Sequence, residues 1–92
     1  MSATTITIGE TSFDHVSYDR DADVLYLSVG EPQAAFQTYG TPEGHAVRYD
    51  RGGHIIGITL VNAQQLLDTG EPQITVPQVV GVARADLKLA LA

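Results

Sequence analysis

Short blocks with a two-residue hydrophobic period alternate along this chain with clusters of Asp and Gly. In His15-Val16-Ser17-Tyr18-Asp19, Val16 and Tyr18 share one face while His15, Ser17 and Asp19 share the other, the pattern of a half-buried strand. Asp19-Arg20-Asp21-Ala22-Asp23 follows, and then the β-branched and aromatic run Val24-Leu25-Tyr26-Leu27-Ser28-Val29. Asp side chains bond their own downstream backbone and so favour a turn, and the run that follows has strand propensity. The unit predicts a β-hairpin.

The same unit returns. Val16-Ser17-Tyr18-Asp19-Arg20 is echoed by Val47-Arg48-Tyr49-Asp50-Arg51 at a spacing of 31 residues, and the match runs on through Leu27 and Ile58 to Val29 and Leu60. Asp50-Arg51-Gly52-Gly53 supplies the second turn, with Gly available for positive φ, and Ile55-Ile56-Gly57-Ile58-Thr59-Leu60-Val61 the second long strand. Gly30-Glu31-Pro32-Gln33 reappears as Gly70-Glu71-Pro72-Gln73 at a spacing of 40, so nine extra residues fall around Val61 to Thr69. The repeat thus spans 16–40 and 47–80 within a single domain, 1–92. By alternation, Leu25, Leu27 and Val29 point to the core together with Ile56, Ile58 and Leu60. Val24, Tyr26, Ile55 and Gly57 form a half-apolar second face, expected to be covered in part by the C-terminal segment or by another chain.

Weaker patterns fill the rest. Thr4 to Ile8 alternates as an N-terminal strand, and Ala34 to Tyr39 reads as a third strand of the first copy before the turn at Gly40-Thr41-Pro42-Glu43-Gly44. Ala63 to Asp68 favours a short helix, stopped by Gly70 and Pro72. Ile74-Thr75-Val76-Pro77 suits an edge strand. Arg84 to Ala92 carries Leu87, Leu89 and Leu91 among good helix formers and reads as a helix, although its alternation fits a strand equally. The fold class is α+β, mostly β: an antiparallel sheet built from two repeated hairpins, with a short helix near 63–68 and a C-terminal helix.

Composition narrows the function classes. At 92 residues the chain has room for one core; 43% hydrophobic and 17% charged residues suit a globular domain. The chain holds no cysteine, which rules out disulfides, thiolate metal sites and a cysteine nucleophile, and leans towards a cytoplasmic location. A signal peptide is not expected, and no apolar run approaches the ~18–20 residues of a membrane span. The net charge of −6 argues against nucleic-acid binding by the chain on its own and favours a basic protein partner if charge steers association.

The segment from Val16 to Leu27, with its Tyr-Asp, polar turn and Asp-aliphatic-aliphatic-Tyr-aliphatic order, resembles the opening of the domain of unknown function 2283 family of small bacterial and archaeal proteins. The second Asp-x-x-Gly turn at Asp50 to Gly53, the aliphatic strand after it and Asn62 extend the likeness over about residues 15 to 67. The resemblance implies a small β-rich fold without established catalytic residues. Because some members are encoded beside small ribonuclease-like toxins, it also implies an antitoxin or partner role by analogy.

Candidate chemistry is sparse. Asp19, Asp21 and Asp23 have the first spacings of a calcium loop, but Val24 and Gly30 stand where the required Gly and Glu should be. His15, His45 and His54 have no zinc spacing, the serines have no Gly-x-Ser-x-Gly elbow, and Gly52-Gly53 lacks a phosphate-loop context. No metal, cofactor or catalytic residue is expected. Tyr18, Arg20, Tyr49 and Arg51 recur with the hairpin. Their structural reading is a packed ring beside a turn and an Arg screening carboxylates; their functional reading is a ligand groove between the repeats, lined by these four. The apolar, weakly charged runs 24–29 and 55–61 need central placement or pairing across a dimer to avoid aggregation. The leading expectation is therefore a non-catalytic interaction module, as a sheet-mediated homodimer or bound to a protein partner, in its sharpest form an acidic antitoxin over a basic toxin. The alternative is a small-molecule binder or minor enzyme using the inter-repeat groove.

Overall fold

The repeated Asp-centred turns close two antiparallel hairpins that lie side by side in one sheet. A computed structural model describes residues 5–31, 33–69, 72–75 and 79–92. In chain order the elements are β1 (Ile6–Ile8), β2 (Thr11–Phe13), β3 (His15–Asp19), β4 (Val24–Ser28), β5 (Gln37–Gly40), β6 (Ala46–Tyr49), β7 (Ile55–Val61), α1 (Ala63–Asp68), β8 (Gln73–Thr75), β9 (Val79–Gly81) and α2 (Arg84–Leu91). β3, β4, β7, β6 and β5 form a five-stranded sheet in that order, while β1–β2 and β8–β9 are separate two-stranded ribbons.

The long apolar strands β4 and β7 take the centre, where a strand has no open edge to protect. They pair antiparallel from Val24↔Val61 to Ser28↔Gly57. Leu27 pairs with Ile58, its own counterpart in the repeat, so a pseudo-two-fold axis passes through the sheet at that pair. The first hairpin runs from His15↔Ser28 to Asp19↔Val24. The second keeps the equivalent register from Ala46↔Thr59 to Arg48↔Gly57, then shifts so that Tyr49 pairs with Ile55. Ile56 is the extra residue of this bulge.

One face of the sheet is the floor of the core. Leu25, Leu27, Val47, Ile58 and Leu60 are buried there against Ile6, Ile8 and Phe13 of the first ribbon, Ile74, Val82, Ala63, and Leu87 and Leu91 of α2. Each large aliphatic side chain so buried contributes on the order of 1.5–3 kcal/mol. No helix among the described residues is long and apolar enough to cross a membrane.

Several expectations change in detail. Val29 is not a core residue: β4 ends at Ser28, and Val29 is 40% exposed although its N–H still donates to the Ile56 carbonyl at 3.0 Å. The bulge alters the alternation of β7, so Ile55 packs against the core, whereas Ile56 is buried outside that cluster. The strand expected over 34–39 forms at 37–40 and joins the second hairpin, through Tyr39↔Val47, rather than the first. The N-terminal strand does not enter the large sheet but closes its own hairpin through Gly9, at φ 61°. The short helix and the C-terminal helix form as expected. The latter packs on the core side through Leu87 and Leu91 and leaves the second sheet face uncovered, with Tyr26 at 45% exposure. The edge strand expected over 74–77 is Gln73–Thr75; Val76 and Pro77 lie outside the described residues.

Candidate functional site

The two turns are built differently from the same Asp. In the second, Asp50 Oδ1 accepts the N–H groups of Gly52 and His54, both at 2.9 Å. The His54 N–H holds the Asp50 carboxyl below its ordinary range against a smaller opposing effect of burial, with Gly52 adding to the lowering. In the first, Asp19 Oδ1 accepts only the Ala22 N–H, at 3.2 Å, and Asp23 does more. Asp23 is left-handed, at φ 56°, a conformation Asp tolerates better than most residues. Its Oδ1 accepts the Tyr18 hydroxyl at 2.7 Å and the Gln64 N–H at 2.9 Å, and its carbonyl accepts the Ala63 N–H at 3.1 Å. Helix α1 has no side-chain cap from Asn62, itself at φ 55°, so Asp23 caps it from the turn between β3 and β4, as a local N-cap would. Donating to Asp23 raises the Tyr18 phenol above its ordinary value, with burial and the Asp23 charge acting in the same direction.

The four residues of the expected ligand groove do not converge. The antiparallel β4–β7 pairing puts the turn after β3 and the turn after β6 at opposite ends of the sheet. Arg20 lies 5.8 Å from the centroid of the Tyr18 ring. Arg51 sits instead over Phe36, at 4.7 Å, and Tyr49 meets Tyr39 edge-on at 5.7 Å.

A different set of residues meets between the repeats. On the uncovered face, the strand registers place Arg48, Gly57, Ser28 and His15 in one row across four strands, and Ala46, Thr59, Tyr26 and Ser17 in the next. These rows flank the pseudo-dyad. A trough of about 400 Å³ lies over it, with walls from His15, Ser17, Tyr26, Ser28, Arg48 and Thr59, and with Val16 at its end. The two copies exchange sizes here. In the first, large Tyr26 stands beside small Ser17; in the second, large Arg48 stands beside Gly57. The Arg48 guanidinium lies on the Gly57 backbone: a Cβ at 57 would sit 2.8 Å from Nε and 2.9 Å from Cζ. Gly57 is glycine for space. Arg48 Nε is buried without a hydrogen-bond partner, and among the described residues the guanidinium has no ion pair. Neither Arg48 nor Gly57 stands out in the sequence; the exchange of large and small residues at the repeat spacing was the available signal.

Below the turn at Thr41 to His45, His45 is 4% exposed and its Nδ1 accepts the Val61 N–H at 3.0 Å, so the ring is neutral with its proton on Nε2. Burial lowers its pKa, opposed by the charge of Glu43. Glu43 in turn holds β8, accepting the Thr75 N–H at 3.0 Å and hydroxyl at 2.8 Å. Burial pushes the Glu43 carboxyl up, but these hydrogen bonds outweigh it and leave the pKa lowered. Among the described residues no three His, Cys, Asp or Glu side chains cluster as metal ligands.

A family model described as a protein of unknown function, DUF2283, matches residues 15–64, which is β3 through the start of α1 and more than half of the chain. The chain belongs to the DUF2283 family. No curated protein and no solved structure matches it. The DUF2283 segment coincides with the duplicated hairpins, the Asp23 cap and the trough. The β1–β2 and β8–β9 ribbons and α2, which close the core from the other side, lie outside it.

Proposed function

We propose that this DUF2283 protein is a cytoplasmic, non-catalytic interaction module that associates through its five-stranded sheet, first of all with a second copy of itself. The observation that carries this reading is the edge strand β5. All four of its residues, Gln37-Thr38-Tyr39-Gly40, are exposed, none is charged, and Tyr39 and the adjoining Phe36 are each 53% exposed. Natural sheets guard such an edge with Lys, Pro or a bulge. The opposite edge, β3, carries His15 and Asp19 and is flanked by Asp14 and Arg20. An unguarded edge favours strand addition, in which main-chain hydrogen bonds provide affinity and alternate side chains provide specificity. The same edge suits a strand from a basic protein, as an antitoxin-like role requires, and the −6 charge supports that partner class.

Light scattering on the purified protein tests the reading. Twice the 9.8 kDa chain mass is expected, falling to a single chain mass for Thr38→Lys, which places a charge on the edge. A wild-type protein that stays monomeric at every concentration refutes the homodimer. Salt-sensitive binding of a basic partner by that monomer would then favour the heteromeric form.

A second reading, small-molecule binding in a groove between the repeats, is favoured by one observation: the trough over the pseudo-dyad with its unpaired Arg48.

A further inference from the structure

Arg48 is a permanent cation held half-buried in the middle of a sheet face, in a chain with eleven acidic and five basic side chains. With acids in such excess, a surface Arg readily finds a carboxylate, yet among the described residues the Arg48 guanidinium has none, and its buried Nε has no hydrogen-bond partner. Its place is nonetheless built. Gly57 leaves room for the guanidinium to lie flat on the strand, and the trough it borders carries hydroxyls from Ser28 and Thr59, which are repeat equivalents on either side of the dyad. Tyr26 supplies an aromatic wall, and among the described residues no acidic side chain lines the trough. Its volume, about 400 Å³, is within the roughly 300–1,000 Å³ of small-molecule sites.

We propose that this trough binds a small planar monocarboxylate whose carboxylate pairs with the guanidinium of Arg48 and whose apolar body lies against Tyr26. The inference rests on the small-molecule reading and adds the ligand class. A guanidinium presents a rigid planar fork that matches a carboxylate, and the paired hydrogen bonds are stronger than neutral ones. One permanent cation balances one negative charge, so a monoanion fits better than a phosphate dianion. The hydroxyls of Ser28 and Thr59 can donate to the outer lone pairs of the carboxylate oxygens.

The test is a titration of the full chain with benzoate, followed by amide chemical shifts. Benzamide, of the same shape without the charge, and inorganic phosphate serve as comparisons. The expected result is saturable shifts confined to residues 15–17, 26–28, 48 and 57–59, with a dissociation constant on the order of 1 mM or tighter. Binding weakens at least about tenfold for benzamide, for phosphate, for Arg48→Gln and for Arg48→Lys, because Lys keeps the charge but not the fork. Arg51→Gln, in the turn after β6 with its guanidinium over Phe36 and outside the trough lining, leaves binding unchanged, and thermal melts establish that each variant is folded. If benzamide or phosphate binds as well as benzoate, the carboxylate assignment is overturned while the small-molecule reading stands. If none of the three produces shifts in the trough, both are overturned.

Discussion

Replacing Asp23 separates what its side chain does from what its backbone does. The carboxylate accepts the Tyr18 hydroxyl and the Gln64 N–H, and the residue is left-handed at φ 56°. Loss of a helix cap costs roughly 1 kcal/mol, within a range of about 0.5–2, and a β-carbon in the left-handed region without a compensating polar side chain costs about 1–2 kcal/mol more. Asp23→Ala incurs both, about 2–3 kcal/mol. Asp23→Gly relieves the backbone and incurs only the cap, about 1 kcal/mol, and Asp23→Asn, which keeps an acceptor oxygen and tolerates φ > 0, costs less than about 1 kcal/mol. In urea a slope near 1–1.5 kcal/mol/M, at the small-protein end of the range, turns the Ala loss into a midpoint about 2 M lower. Far-UV circular dichroism through the transition reads all three. The expected order of stability is wild type, Asn, Gly, Ala, and the Gln64 amide exchanges faster in Gly and Ala. Equal losses for Gly and Ala would refute the backbone contribution, and an Ala variant within about 0.5 kcal/mol of wild type, the usual effect of an inconsequential surface change, would refute the cap from the turn altogether.

Three further outcomes follow from the structure. His45 has a lowered folded-state pKa, so the unfolded chain takes up the proton first; stability falls as pH drops below the ordinary 6.5 and levels off below the folded value. His45→Gln, which can still accept the Val61 N–H, removes that slope in urea midpoints measured against pH, and an unchanged slope would contradict the assignment. Asp50, Glu43 and Asp14 have lowered pKa values, Asp14 chiefly through the Gly30 N–H, so their stabilisation is present above the ordinary 3.8–4.5 and is lost below it, in a separate acid step. Gly57→Ala displaces only the mobile end of Arg48, so the thermal midpoint moves by no more than about 4–8 °C, the equivalent of about 1 kcal/mol, while the Arg48 Nε–H resonance shifts; a larger loss of stability would mean that the strand itself must move.

Alternation and turn chemistry were enough to place β3, β4, β6 and β7, because both long strands have one face fully buried and a one-residue slip would expose Leu25, Leu27, Ile58 and Leu60. The helices at 63–68 and 84–91 were legible from composition and stop signals. The bulge at Ile56 was not, since a single inserted residue leaves propensity unchanged and reveals itself only through the pairing partner. The destination of β5 was also hidden: it follows the first copy in sequence yet pairs with the second, and no local pattern encodes a neighbour. In the candidate site, Tyr18, Arg20, Tyr49 and Arg51 were conspicuous because they recur, and they recur because the hairpin does. The trough depends on positions where the copies differ, Ser17 and Arg48, Tyr26 and Gly57, which a search for similarity passes over.

The most direct test of the association reading is an isotope-filtered NOE experiment on an equimolar mixture of labelled and unlabelled chains. Pairing through β5 predicts intermolecular contacts among the Cα protons and side chains of residues 36–40. A dimer whose intermolecular contacts arise from β3, α2 or the ribbons, with residues 36–40 unaffected, would contradict it.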